Sequence, residues 1–98
     1  MRLVMLLFLA VTCPGLAVAD DLCERSAEAA RQIMKARQEG VPMDVLMQAA
    51  QKQKGDYAGL SKQMVIGAYE RDRRYSEAQK QREIVEYGND MYKLCLKS

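Results

Sequence analysis

The sequence predicts an all-α protein, a compact bundle or orthogonal array of about four helices whose first and last members are joined by a disulfide bond. Three observations indicate this fold. Apolar residues recur at helical spacing over most of residues 20–98, and capping and helix-breaking residues divide them into four segments. Two cysteines, Cys23 and Cys95, lie near the ends of this region. Its length suits a single helical domain.

Residues 1–19 have the layout of a secretory signal peptide that is cleaved at its C-terminal end. The basic residue Arg2 precedes a short apolar run, residues 3–11, and Ala17–Ala19 supplies the small residues of a cleavage site. The apolar run is far shorter than the ~20 residues that a membrane-spanning helix needs, which argues against the alternative of an uncleaved anchor. We therefore expect residues 20–98 to be periplasmic or secreted, with no stable membrane span.

Cys23 and Cys95 are the cysteines that remain after this cleavage, and we expect them to form one disulfide bond. Export places them in an oxidising compartment, and a domain this small needs a covalent link to supplement its core. A catalytic dithiol usually has its cysteines close in sequence, whereas these lie at opposite ends. Two free thiols are the alternative. Cys13 would leave with the signal, unless it carries a lipid.

The first helix is predicted from about Leu22 to Glu39, with Asp21 as its N-cap and Glu24 completing a capping box. Half of its helical wheel is apolar and rich in alanine, and the other half is charged or polar. Gly40 offers the left-handed conformation that ends a helix. A second helix should follow from about Pro42 to Lys52, with its methionines and a leucine on one side.

The third helix is expected from about Tyr57 to Glu70, with Asp56 available as its cap. Its apolar residues cover more than one face. The run from Met64 to Tyr69 is also compatible with a buried strand, but the chain shows no partner strand for it. Helix is therefore the preferred interpretation.

The fourth helix should begin after a capping box formed by Ser76 and Gln79, and it should reach about Leu96. Its apolar arc covers roughly half of the helical wheel, which predicts that it is the central helix of the domain. Gly88 lies on that arc, and a glycine there predicts the close approach of another backbone.

Composition argues against several classes of function. The chain contains no histidine, so the usual catalytic triads and the commonest metal ligand are absent from it. Its 15 basic and 13 acidic residues give a net charge of +2, which becomes +1 when Arg2 leaves with the signal. Nucleic-acid-binding domains are usually much more basic. We therefore expect no enzymatic activity, no cofactor, no metal site and no nucleic-acid partner.

Arg37 stands out because it projects among apolar positions near the end of the first helix. An arginine in such a place can bind a carboxylate or a phosphate through both arms of its guanidinium group. The alternative is a pairing inside the protein, with helix-end carbonyl groups or with Asp44 or Asp90. The sequence alone leaves both interpretations open.

The connection between the third and fourth helices is a candidate partner-binding surface. It is basic and aromatic, and tyrosine and arginine are the residue types that often anchor protein interfaces. Together with Arg37, the candidate residues are Ile66, Tyr69, Arg71, Arg73, Arg74 and Tyr75. A solvated charged loop is the alternative.

The order of several residues resembles a group of small exported bacterial and phage-associated proteins with two cysteines and no characterised function. The residues that carry this resemblance are Cys23, Met34, Arg37–Met43, Ala68-Tyr69, Arg74-Tyr75-Ser76, Asn89-Asp90, Tyr92 and Cys95. The resemblance covers most of residues 20–98. It implies a signal peptide, helices and two cysteines, and it implies no catalytic residue.

These observations together indicate a small protein of the bacterial cell envelope with a non-enzymatic protein-interaction role, and another envelope protein as its partner. The alternative is a periplasmic stress chaperone or an enzyme inhibitor that exposes apolar surface conditionally. The sequence does not indicate the oligomeric state.

Overall fold

The computed structural model describes residues 14–98 of the chain, and the predicted signal run at residues 3–11 lies outside this part. The described residues form helices and no strand. The four helices are α1 Pro14–Gln38, α2 Met43–Gln51, α3 Asp56–Tyr69 and α4 Glu77–Lys97. The predicted all-α fold is confirmed, and the third segment is a helix rather than a strand.

Helix α1 begins at Pro14, well before the predicted start near Leu22. Proline suits a first helical turn because it has no amide hydrogen to satisfy there, and the alanines and leucines that follow favour helix. Asp21 therefore lies inside the helix and is not its N-cap. Its carboxylate instead forms an ion pair with Arg25, one turn further on, at 2.6 Å. Cleavage of residues 1–19 stays a prediction.

The other helix ends follow local residue preferences. Gly40 has a φ of 88° and ends α1 as predicted, and Gly55 has a φ of 61° immediately before α3. Gly55 rather than Asp56 is the N-cap of α3, because the turn is made one residue earlier than predicted. At the start of α4, the Ser76 hydroxyl accepts a hydrogen bond from the Gln79 amide at 3.1 Å, as expected.

Helix α1 is the central element of the fold. It packs against both α4 and α3, whereas α2 packs mainly on α3 and few contacts join α3 directly to α4. The prediction that α4 is central is therefore wrong. The reason is that small alanine side chains on α1 let two neighbouring helices approach it. The buried core cluster consists of Ala30, Met34, Met64, Ala68 and Tyr87.

The predicted disulfide bond is confirmed. The Sγ atoms of Cys23 and Cys95 are 2.04 Å apart, and their Cα atoms are 5.4 Å apart. The bond joins α1 to the last turn of α4, so these two helices are held by a covalent link as well as by packing.

Gly88 is close-packed for a different reason from the one predicted. A Cβ atom at this position would lie 2.6 Å from the Cγ atom of Arg31. The aliphatic part of an arginine side chain therefore occupies the space, and no neighbouring backbone does. The long side chain of Arg31 thus crosses α4 where α4 has no side chain of its own.

Candidate functional site

The connection between α3 and α4, residues 70–76, is held against the C-terminal end of α1. Gln38 is the buried residue that holds it. Its amide nitrogen donates to the Asp72 carbonyl at 3.0 Å, and its amide oxygen accepts from the Arg74 backbone amide at 2.7 Å. Arg73 returns a hydrogen bond to the Gln38 carbonyl at 3.3 Å, which satisfies a carbonyl group at the helix end.

Arg37 pairs inside the protein. Its Nε and Nη2 atoms donate to the Arg71 carbonyl at 3.2 and 3.0 Å. The guanidinium group also lies over the ring of Tyr69, 4.9 Å from the ring centroid. The Tyr69 hydroxyl in turn donates to the Val41 carbonyl. Arg37 therefore binds the backbone of the connection, and neither of the two aspartates considered as partners is involved.

Two acidic residues of α4 hold the arginines of the connection from the other side. The buried carboxylate of Glu83 accepts from Nε and Nη2 of Arg74 at 3.1 and 2.9 Å. Its second oxygen lies 3.6 Å from Arg71, which also pairs with Asp90. Paired and hydrogen-bonded charges of this kind tolerate burial, whereas a single unpaired charge would not.

The structure thus separates the candidate partner-binding residues into two groups. Five of them are engaged in contacts within the protein, namely Arg37, Tyr69, Arg71, Arg73 and Arg74. Two project outward: Tyr75 is 98% exposed, and Ile66 is 37% exposed. A binding role for these residues stays a prediction. The internal contacts show that most of them have a structural task as well.

An apolar groove of about 400 Å³ lies between α3 and α4. Both helices pack on α1, and their backbones come close to each other at few positions. Its rim carries two exposed leucines, Leu60 (42% exposed) and Leu94 (58% exposed). The remaining lining residues are Gln63, Met64, Gly67, Glu70, Arg71, Tyr87 and Met91.

A tyrosine of α4 crosses the floor of this groove to α3. The Tyr87 hydroxyl donates to the Met64 carbonyl at 2.5 Å. Gly67 makes room for it, because a Cβ atom there would lie 2.6 Å from the hydroxyl oxygen. Burial raises the pKa of the Tyr87 phenol, and the guanidinium group of Arg71, 4.8 Å from the ring centroid, lowers that pKa by less. The phenol therefore stays a hydrogen-bond donor.

The two ends of the groove differ in charge. Leu60 and Leu94 make one end apolar, and Glu70 and Arg71 lie toward the other. Arg71 is already paired with Asp90 and Glu83, whereas Glu70 forms no ion pair with any residue of the described part of the chain. The second end therefore presents one exposed carboxylate, that of Glu70, which a basic group of a partner is free to approach.

Within residues 14–98, no three acidic or cysteine side chains are close enough together to hold a metal ion. No helix in the same range combines the length and the apolar character that crossing a membrane requires. The chain matches no protein-family model, and no curated protein or solved structure is significantly similar to it.

The sequence pattern placed the groove residues on helical faces without revealing the groove. Leu60 and Met64 share one face of α3, and Met91 and Leu94 lie on the apolar arc of α4. Such faces ordinarily meet in a core. Gln38 belonged to the polar side of its helix, and nothing in the sequence distinguished it from its exposed neighbours.

Proposed function

We propose that this protein is a non-enzymatic binding protein of the bacterial cell envelope, and that its α3–α4 groove binds an apolar segment of another envelope protein. The observation that supports the groove is the exposure of Leu60 and Leu94 over an apolar floor. Scattered exposed apolar side chains are ordinary in folded proteins. Apolar residues that line a common concave surface are typical of binding sites.

The envelope location rests on two further observations. The Cys23–Cys95 disulfide is a kind of bond that persists in oxidising compartments and is rare in the cytosol. Residues 1–19 have the composition and order of an export signal. Both support a periplasmic or secreted protein.

A conditional chaperone or enzyme inhibitor is the second candidate function, and the ion pairs of the α3–α4 connection favour it. Arg74 depends on the buried carboxylate of Glu83, and Arg71 depends on Asp90 and Glu83. Loss of these ion pairs would free the connection from α4 and uncover the buried side chains of Gln38 and its neighbour Met34. This candidate predicts increased binding of an apolar dye at acid pH while the disulfide stays intact.

Site-specific photo-crosslinking in intact cells tests the proposed groove. In two variants a photoreactive residue would replace Leu60 or Leu94, and in a third variant it would replace Val85. Val85 is a matched control because it is 43% exposed and lies on α4 nine residues before Leu94, which places it on the opposite side of that helix. We expect one partner to be crosslinked from the two groove positions and not from the control.

Charge substitutions complete this test. Leu60→Glu and Leu94→Glu should abolish crosslinking from the other groove position, whereas Val85→Glu should leave it unchanged. Tyr75→Ala examines the fully exposed tyrosine of the connection in the same assay. Equal crosslinking from all three positions, or loss only with Tyr75→Ala, would show that the groove is not the binding site.

A further inference from the structure

The two walls of the α3–α4 groove have the same residue spacing. The α3 wall consists of Leu60, Met64 and Gly67, and the α4 wall consists of Tyr87, Met91 and Leu94. Both sets follow an i, i+4, i+7 pattern, so each set lies along one helical face over about 10 Å, with Leu60 and Leu94 exposed and Met64 and Tyr87 buried at the floor. The length of the groove matches about two turns of a third helix.

We infer that the occupant of this groove is an amphipathic helix of the partner protein, with a lysine or arginine near the end that meets Glu70. This inference rests on the proposed function. A helix satisfies its own backbone hydrogen bonds, whereas an extended peptide needs free backbone groups on the protein that receives it. The backbone groups of both walls are already bonded within α3 and α4. An apolar helical stripe therefore suits this groove better than a strand does.

Helix α1 packs beneath the floor of the groove. On the opposite side, α1 contributes Ala30 and Met34 to contacts with Met64 and Tyr87. Met64 and Tyr87 also line the groove. Because Met64 is only 3% and Tyr87 only 2% exposed, a partner helix would contact mainly the exposed side chains of Leu60 and Leu94.

The charged residues at the second end of the groove predict the orientation of the partner helix. The second end of the groove contains or adjoins three carboxylates, those of Glu70, Glu83 and Asp90, and two guanidinium groups, those of Arg71 and Arg74. The guanidinium groups of Arg37 and Arg73 are bound to backbone carbonyls at the same connection, and Glu70 is the carboxylate of this set that forms no ion pair within the described residues. A basic side chain on the partner would meet this charge, whereas an acidic one would be repelled.

Synthetic peptides test both parts of the inference. Three fluorescein-labelled 14-residue peptides would share one leucine–alanine amphipathic stripe and differ only in a terminal lysine, glutamine or glutamate. A fourth would carry the lysine and a central proline that breaks the helix. Binding to the oxidised protein would be measured by fluorescence anisotropy. We expect the lysine peptide to bind roughly two- to fivefold more tightly than the glutamate peptide, since partly exposed ion pairs contribute modestly. The proline peptide should bind more weakly than all of the others.

Variants assign each effect to a residue. Glu70→Gln should remove the difference between the lysine and glutamate peptides, Leu94→Glu should abolish binding of all four, and Val85→Glu should change nothing. Equal affinities of the lysine and glutamate peptides would contradict the proposed role of Glu70. Undiminished binding of the proline peptide would contradict a helical occupant of the groove. If no peptide binds while crosslinking from Leu60 and Leu94 still captures a partner, this inference fails and the proposed function stands.

Discussion

The hydroxyl group of Tyr87 donates a hydrogen bond to the backbone carbonyl of Met64, and this bond links α4 to α3 beneath the apolar groove. Tyr87 is almost fully buried, and Gly67 leaves the space that its hydroxyl occupies. Because the backbones of α3 and α4 come close to each other at few positions, we expect the spacing of the groove walls to depend on this side chain.

Gly67→Ala should therefore have opposite effects in two backgrounds. Alanine ordinarily stabilises an exposed helix interior by about 1 kcal/mol relative to glycine. In the natural protein, the new methyl group would meet the Tyr87 hydroxyl, so we expect a loss of stability. In a Tyr87→Phe protein the obstructing oxygen is gone, so the same substitution should be neutral or stabilising. Urea denaturation of the four proteins gives the coupling energy, and additive effects would contradict the proposed contact.

Stability should decline at alkaline pH partly because of Tyr87. Burial raises the pKa of this phenol in the folded protein above its unfolded value of about 10. The folded state therefore favours the neutral phenol. The contribution of Tyr87 to the free energy of unfolding is fully present below pH ~10, and it is lost as the pH rises through the pKa of the folded state. Tyr87→Phe should be less sensitive between pH 9 and 11. Parallel denaturation curves for both proteins over this range would contradict the prediction.

Gln38→Leu should destabilise the α3–α4 connection more than the small change in side-chain volume suggests. The substitution keeps a side chain of similar volume but removes the partners of the Asp72 carbonyl and the Arg74 amide. We expect a loss of about 1–3 kcal/mol and faster hydrogen exchange at the Arg74 amide. Gln81→Leu, at an exposed position of α4, is the control. Equal stability of the two variants would show that Gln38 does not hold the connection.

Removing the disulfide should cost much of the stability of this small domain. The cysteines are 72 positions apart, and a loop of that length predicts a contribution of about 4 kcal/mol. The double variant Cys23→Ala, Cys95→Ala should therefore unfold at a far lower urea concentration than the oxidised protein. Reduction of the natural protein should have a similar effect. The finding of two free thiols in protein purified without a reducing agent would remove the basis of this prediction.

Asp21 should matter only after the predicted cleavage. In the uncleaved chain this residue lies inside α1 and makes an exposed ion pair with Arg25, which contributes little. In a chain that begins at Asp20, the same residue would be free to cap the new helix start. We expect Asp21→Ala to cost about 1 kcal/mol in the shorter chain and much less in the full-length chain. Equal losses in thermal melting of both chains would show that Asp21 does not become a cap.

The helices were largely predictable because their signals are local. Gly40 ends α1 through a backbone conformation that glycine adopts easily, and Ser76 caps α4 through a contact three residues away. The predicted start of α1 and the predicted cap of α3 differ from the structure, because Pro14 and Gly55 are also residues that commonly begin or cap a helix. Choices between adjacent caps depend on small energy differences that a pattern does not reveal.

The candidate site was predictable only in part, because its contacts join residues far apart in the chain. Arginines and tyrosines marked the α3–α4 connection as unusual, but their partners lie more than 30 positions away on α1 or across the turn on α4. A buried Gln38 and an exposed glutamine look alike in sequence. The groove likewise depends on how far apart two helices lie, which neither helix encodes alone.

The sequence by itself determined the number of helices, most of their ends, and the pairing of Cys23 with Cys95, because these depend on backbone preferences and on the presence of two cysteines in the predicted mature chain. Only the tertiary structure decided that α1 is central and that Arg37 is satisfied internally. It also showed that Leu60 and Leu94 border an open groove. These properties depend on which faces meet in space, and side chains of the same type are free to face either the core or the solvent until the helices pack.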